Sequence, residues 1–257
     1  MPFPKSPRVF YERNPLEQVI CQVRFPSILR IESEKPAAFQ ERIRSSYPLL
    51  TEGYVEQFPL PKSLERLLGE LPKSPYFEFA SEDEVWKVSL NKESLALATT
   101  KYRRWEEFRE HLEFPLCALV EVYSPSFYTL IGLRYRDVIQ QSKLGSKQVP
   151  WAELLEPHIA GTLSHSQLAG SISHIAQDLV VDLQGQEGKV RLKHGLIHAS
   201  ENGETCYVID SDFYIEKKTE TKHAIEILNG FNKKAGRLFR WCIKPKLHDA
   251  MGPKTSG

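Results

Sequence analysis

Apolar residues recur every three or four positions over residues 221–244, where Ile225, Leu228, Phe231, Ala235, Leu238 and Cys242 form one stripe. That is the period of an α-helix. Lys233, Arg237, Arg240 and Lys244 follow one another at +4, +3 and +4, which puts a second, basic stripe on the same helix. At the other end of the chain, residues 16–26 alternate: Val19, Cys21, Val23 and Phe25 interleave with Ile20, Gln22 and Arg24. This predicts a strand with one core face, ended by Pro26. Residues 34–47 predict a helix, with Pro36 in its first turn and Phe39, Ile43 and Tyr47 spaced by four. The stretch 48–75 is punctuated by proline and holds a short amphipathic piece at 63–71. Strand-like runs follow at 76–81, 85–90 and 94–100, joined at Glu82-Asp83 and Asn91-Lys92, which suit turns. A helix is predicted from about Arg104 to about Tyr123 through Phe108, Leu112, Leu116 and Leu119, with Pro115 expected to kink or restart it.

The second half has the same order. Residues 126–138 predict a strand, 151–156 a short helix, and 168–183, 189–199 and 205–217 three more strands. The C-terminal helix closes the half. Each half therefore reads β-α-β-β-β-α, and the opening strands superpose with Val19 on Thr129, Cys21 on Ile131, Val23 on Leu133, Arg24 on Arg134 and Phe25 on Tyr135. The expected fold is α+β: two pseudo-repeats forming antiparallel sheet or sheets with long helices on one face, the other face free to make a groove. The expected divisions are an extended proline-rich arm at 1–15, halves at 16–124 and 125–245, and a tail at 246–257.

Composition changes this picture little. A chain of 257 residues with 41% hydrophobic and 26% charged residues is ordinary for a globular protein, and it buries enough surface to need no metal or disulfide staple. The net charge of +1 supplies no global field toward nucleic acid or membrane. Cys21, Cys117, Cys206 and Cys242 are widely spaced in apolar runs, the usage of buried free thiols in a reducing compartment. The N-terminus has no apolar signal core, and no apolar run approaches a membrane span. A cytoplasmic protein is expected.

Candidate chemistry is sparse. His194 and His198 make an HxxxH, yet KVRLKHGLIHAS alternates like a strand, which roots the rings about 13 Å apart and unsuited to one metal. Asp210, Asp212 and Glu216, with Asp178 or Asp182 as partner carboxylate, faintly resemble a metal-nuclease set. His165 and His174 flank a serine-rich run, SHSQLAGSISH. No GxSxG and no glycine-rich phosphate loop occurs. No cofactor is expected. The candidate partner-binding residues are Lys233, Arg237, Arg240, Trp241 and Lys244 on the C-terminal helix, and Arg24 and Arg134 at matched outward positions of the two opening strands. Cations near a helix C-terminus also complement its dipole, which accounts for part of the stripe without a partner.

The runs YERNPLEQVICQVRFP and AIEILNGFNKKAGRLFRWCIKPKLHDAMGP resemble a sporadically distributed bacterial family of about this length. The similarity extends along the whole chain and is most specific at Leu228, Asn229, Asn232, Phe239 and His248. The resemblance implies a bacterial, cytoplasmic protein, and the patchy distribution suits a defence or toxin–antitoxin component. It carries no catalytic residues. The expected function is a non-enzymatic binding or regulatory subunit that holds a protein or nucleic-acid partner through a sheet groove or the basic helix, with homo-oligomerisation left open. The alternatives are a small-ligand binder and a metal-dependent nuclease.

Overall fold

Period-two alternation becomes strand and period-3.6 alternation becomes helix along most of this chain, because each element has one apolar face to bury. The computed structural model describes residues 3–56, 73–145, 149–198 and 203–255. In chain order the main elements are β1 (Val9–Tyr11), β2 (Leu16–Arg24), helices Leu29–Ser33 and Ala37–Ile43, β3 (Leu49–Glu56), β4 (Lys73–Ala80), β5 (Trp86–Asn91), β6 (Ser94–Thr99), helix Trp105–Tyr123 and β7 (Leu130–Ile139). The short helices Trp151–Leu154 and Pro157–Ala160 follow. Then come β8 (Ala176–Asp182), β9 (Lys189–His198), β10 (Thr205–Ile215), the C-terminal helix Ala224–Cys242, helix Pro245–Ala250 and β11 (Pro253–Thr255). The fold is α+β.

The chain forms two compact units, neither continuous in sequence. One comprises Ile20–Ile131 and Glu216–Ile225. Its strands lie in the order β3-β4-β5-β6-β2, with β3–β4, β4–β5 and β5–β6 antiparallel. Val88, Leu97 and Phe79 meet Phe39, Ile43, Phe108 and Leu112 from the helices in a core where each is fully buried. Tyr47 donates to the His111 carbonyl at 3.0 Å, and the His111 ring stacks on Trp86 at 3.9 Å. Ser124, in the left-handed region at φ +48°, ends the long helix with its N–H on the Val120 carbonyl.

The other unit comprises Met1–Val19, Gly132–Ile215 and Glu226–Gly257. Its strands lie in the order β7-β10-β9-β8. β9 pairs antiparallel with β10 on one side and with β8 on the other. The C-terminal helix lays Leu228, Phe231, Ala235, Leu238 and Cys242 against the sheet, and all five are buried, as the apolar stripe predicts. Phe213 and Phe231 meet at 6.1 Å, and the Tyr135 hydroxyl donates to Asn232 Oδ1 at 2.9 Å. The arm lies along this unit: β1 pairs antiparallel with β11, and Phe3 is buried 5.4 Å from the Trp241 ring.

Several expectations are corrected. The segment expected as a tail forms a helix and a strand, because β11 gives the arm its ladder partner. The proline-punctuated stretch contains β3, whose alternation Gly53 obscures; Tyr76 on β4 covers it so closely that a Cβ there would lie 2.5 Å from the ring. The amphipathic piece at 63–71 lies outside the described residues. The strand expected from Leu168 begins only at Ala176. Before it the chain coils through tight turns at Gly161–Ser164 and Ala169–Ser171, where short polar side chains and glycine favour turns over a ladder. Pro115 does not restart the long helix, which is assigned unbroken across it. Cys117 is exposed, whereas Cys21, Cys206 and Cys242 are buried as expected.

Candidate functional site

The predicted partner residues separate once the chain folds. Lys233 is exposed on the C-terminal helix, but its neighbour Lys234 points inward with its side chain 8% exposed, where it pairs with Glu187 at 2.7 Å. Sequence periodicity misses this lysine because a charged residue on the apolar margin reads as the start of the polar face. Arg237 is half-buried. Arg240 is half-buried beside Tyr11, and its Nη1 is buried without a hydrogen bond among the described residues. Trp241 is held between Phe3 and the His158 ring, 3.8 Å away, and its carbonyl accepts a hydrogen bond from His158 Nε2 at 3.0 Å. Lys244 donates to the Ala152 carbonyl at 2.6 Å. Arg240 and Lys244 of the basic stripe are thus occupied in fastening the helix end to the arm and to the short helices.

Tyr11, Phe239 and His248, from the two ends of the chain, meet at this seam. Tyr11, in the N-terminal run, packs edge-on to Phe239 at 6.0 Å and hydrogen-bonds His248 Nδ1 through its hydroxyl at 2.8 Å. Burial raises the Tyr11 phenol, and the charge of Arg240 opposes that. Burial lowers His248, and Arg240 adds to the effect. Asp137, on the helix-facing side of β7, is 8% exposed and its carboxyl is pushed up to about 8. Burial is the main cause and the charge of Asp210 adds; among the described residues neither a hydrogen bond nor a cation offsets them. On the same side of the sheet, His194 Nδ1 and the Tyr207 hydroxyl lie 2.7 Å apart, and that hydroxyl donates to the Ile159 carbonyl. Burial lowers His194, with His158 adding. These are interior polar contacts that orient rings.

The opposite face of the same sheet is different. Arg134 grips Asp210 with both ends of its guanidinium, Nε to Oδ1 at 2.7 Å and Nη2 to Oδ2 at 2.5 Å. Across the β9–β10 register Asp210 is opposite Lys193, and Asp212 is opposite Arg191. Arg191 in turn holds Asp178 on β8 at 2.9 Å and 2.5 Å, and Lys189 faces Asp182. Burial raises Asp212 and Arg134 partly offsets it. The side chains of Arg134, Asp178, Lys189 and Arg191 are 42–52% exposed, so this face is open to solvent and carries charges of alternating sign. Arg24, exposed at the end of β2, belongs to the other unit.

The arrangement limits the chemistry. Asp210 has both oxygens committed to Arg134, and Glu216 belongs to the other unit than Asp210 and Asp212. Among the described residues no three His, Cys, Asp or Glu side chains come together in a way that would hold a metal ion. His194 and His198 are strand residues, as their alternation predicts. His165 and His174 lie outside any strand and are exposed. No helix among the described residues is long and apolar enough to cross a membrane. No protein-family model matches this chain, and no curated protein matches it.

Proposed function

We propose that the protein is a non-enzymatic binding subunit that receives a protein partner on the open face of the β7-β10-β9-β8 sheet. The observation that supports this is the half-exposed lattice of Arg134–Asp210 and Arg191–Asp178 with Lys193, Lys189 and Asp212 between them. A surface that alternates in sign offers a phosphate backbone as much repulsion as attraction, whereas a protein surface can answer it charge for charge. The same reasoning favours a protein over a nucleic acid. In this reading the binding role belongs to a cytoplasmic defence or regulatory complex, which the resemblance to a sporadic bacterial family favours.

The test compares two double variants of the full chain as bait in its own host. Arg191→Glu with Lys193→Glu inverts the sheet face; Lys233→Glu with Arg237→Glu inverts the exposed part of the helix. Loss of the wild-type partner in the first and its retention in the second is the expected result. Retention in the first with loss in the second would overturn the sheet-face reading in favour of the helix.

A further inference from the structure

β8 is the terminal strand of its sheet among the described residues, and Asp178 and Asp182 are the only charges in its sequence that guard that position. Natural edges are commonly blunted by proline, lysine, a bulge or a very short strand. AQDLVVD has no proline, lysine or glycine, and all seven residues pair regularly with β9, from Ala176 opposite Gly195 to Asp182 opposite Lys189. The strand begins where it does because Gly195 admits the Ile175 carbonyl, which would lie 2.0 Å from a Cβ at that position. No residue of β8 is buried, and none is buried in the coil from Ser164 onward. Val180 and Leu168 are 52% and 51% exposed.

The direction of each backbone group follows from the ladder. Leu183 N–H donates to the Gly188 carbonyl, and Leu196 N–H donates to the Ile175 carbonyl. Both pairs continue the β8–β9 register, so the odd-numbered residues of β8 exchange their hydrogen bonds with β9. Ala176, Asp178, Val180 and Asp182 therefore turn N–H and C=O to the outer edge. Among the described residues no backbone group pairs with them.

We propose that this edge pairs with β8 of a second copy of the chain, antiparallel about a two-fold axis through Leu179, so that the two sheets join edge to edge. Outward groups meet only when even-numbered residues face even-numbered residues, which leaves few registers. One step in either direction sets Asp178 against the second copy's Asp178, or against its Asp182, and like charges directly opposite are destabilising. The register centred on Leu179 sets Asp178 against the second copy's Val180 and Asp182 against its Ala176. It alone pairs the full strand without facing carboxylates. It also brings the two Leu179 side chains together on the helix side, continuing the half-buried Gln177, Leu179 and Val181 across the seam. The contact is isologous and closes at two copies. This inference rests on the strand edge and is independent of what binds the sheet face.

Light scattering of the full chain during gel filtration is expected to give the mass of a dimer. Val180→Pro removes an outward N–H and leaves the β9 ladder intact; it is expected to give a monomer with unchanged circular dichroism. In a Cys117→Ser background, Leu179→Cys is expected to form an intermolecular disulfide on oxidation, since residues opposite in a non-hydrogen-bonded pair have Cα atoms about 4.5 Å apart. Val181→Cys, which faces the second copy's Gln177, is expected to remain unlinked. A monomer at all concentrations, a dimer that survives Val180→Pro, or equal cross-linking by the two cysteine variants would each overturn the proposal. A monomer that instead takes up a strand from a different protein would overturn it as well.

Discussion

β8 and β10 share a neighbour, β9, yet they have opposite fates. β10 buries Cys206, Tyr207, Ile209, Asp210, Ser211, Phe213 and Ile215; β8 buries nothing. The difference is what lies beyond. β10 has β7 on its far side, and β7 supplies Arg134 to take up Asp210, whereas β8 has no further strand among the described residues. Hence an aspartate on β10 is an interior group that requires a partner, and an aspartate on β8 is a solvated one. Burial of charge here is a property of a strand's position in the sheet more than of its own residues.

The contrast can be broken at its strongest point first. Ile209→Ala empties a fully buried site on β10 and is expected to lower stability by about 3 kcal/mol, read by urea unfolding. Leu179→Ala, half-buried on β8, is expected to cost about a third as much on the same scale. An equal cost would mean that β8 is covered more completely than its exposure shows.

Asp137 on β7 gives a pH test. Its folded carboxyl is raised from the ordinary range to about 8. The folded chain therefore holds this proton more tightly than the unfolded chain does. The resulting stability is fully present below about pH 4, and is lost as pH rises toward 8. Asp137→Asn removes that dependence. The variant is expected to be more stable than the parent at pH 8, by up to about 5 kcal/mol, and indistinguishable from it near pH 4. A parent whose melting temperature does not fall relative to the variant over this range would show that Asp137 acquires a cation.

Arg134→Ala is expected to cost about 2 kcal/mol, less than for a wholly buried pair because Arg134 is 42% exposed. Arg134→Ala with Asp210→Asn is expected to recover part of it, since the stranded carboxylate is then gone. At the weak end, Val180→Thr on the outer strand is expected to change chain stability by less than about 0.5 kcal/mol. Chemical denaturation of the three variants side by side would rank centre against edge.

Much of the fold could be read in advance where one periodicity dominated. The strands at β5, β6, β9 and β10 and both long helices follow from alternation or a helical stripe. The strand β3 was hidden because Gly53 interrupts its pattern, and only the facing Tyr76 makes that glycine sensible. The late start of β8 was hidden because Leu168, Ile172 and Ile175 mimic a strand that the intervening serines and glycine do not sustain. At the site, the basic stripe was visible but its use was not. Arg240, Trp241 and Lys244 are engaged by Tyr11, Phe3, His158 and Ala152, residues more than eighty positions away.

What the sequence determined by itself is local: where apolar residues line up on one face, an element forms, because burying that face outweighs the entropy of ordering it. Which elements become neighbours was decided only by the tertiary structure. Asp210 and Asp178 have the same chemistry and both sit in strands that pair with the same neighbour. Each is held by an arginine, yet one is enclosed and the other is open, because a strand's second neighbour is supplied by a distant part of the chain, and no local pattern records it.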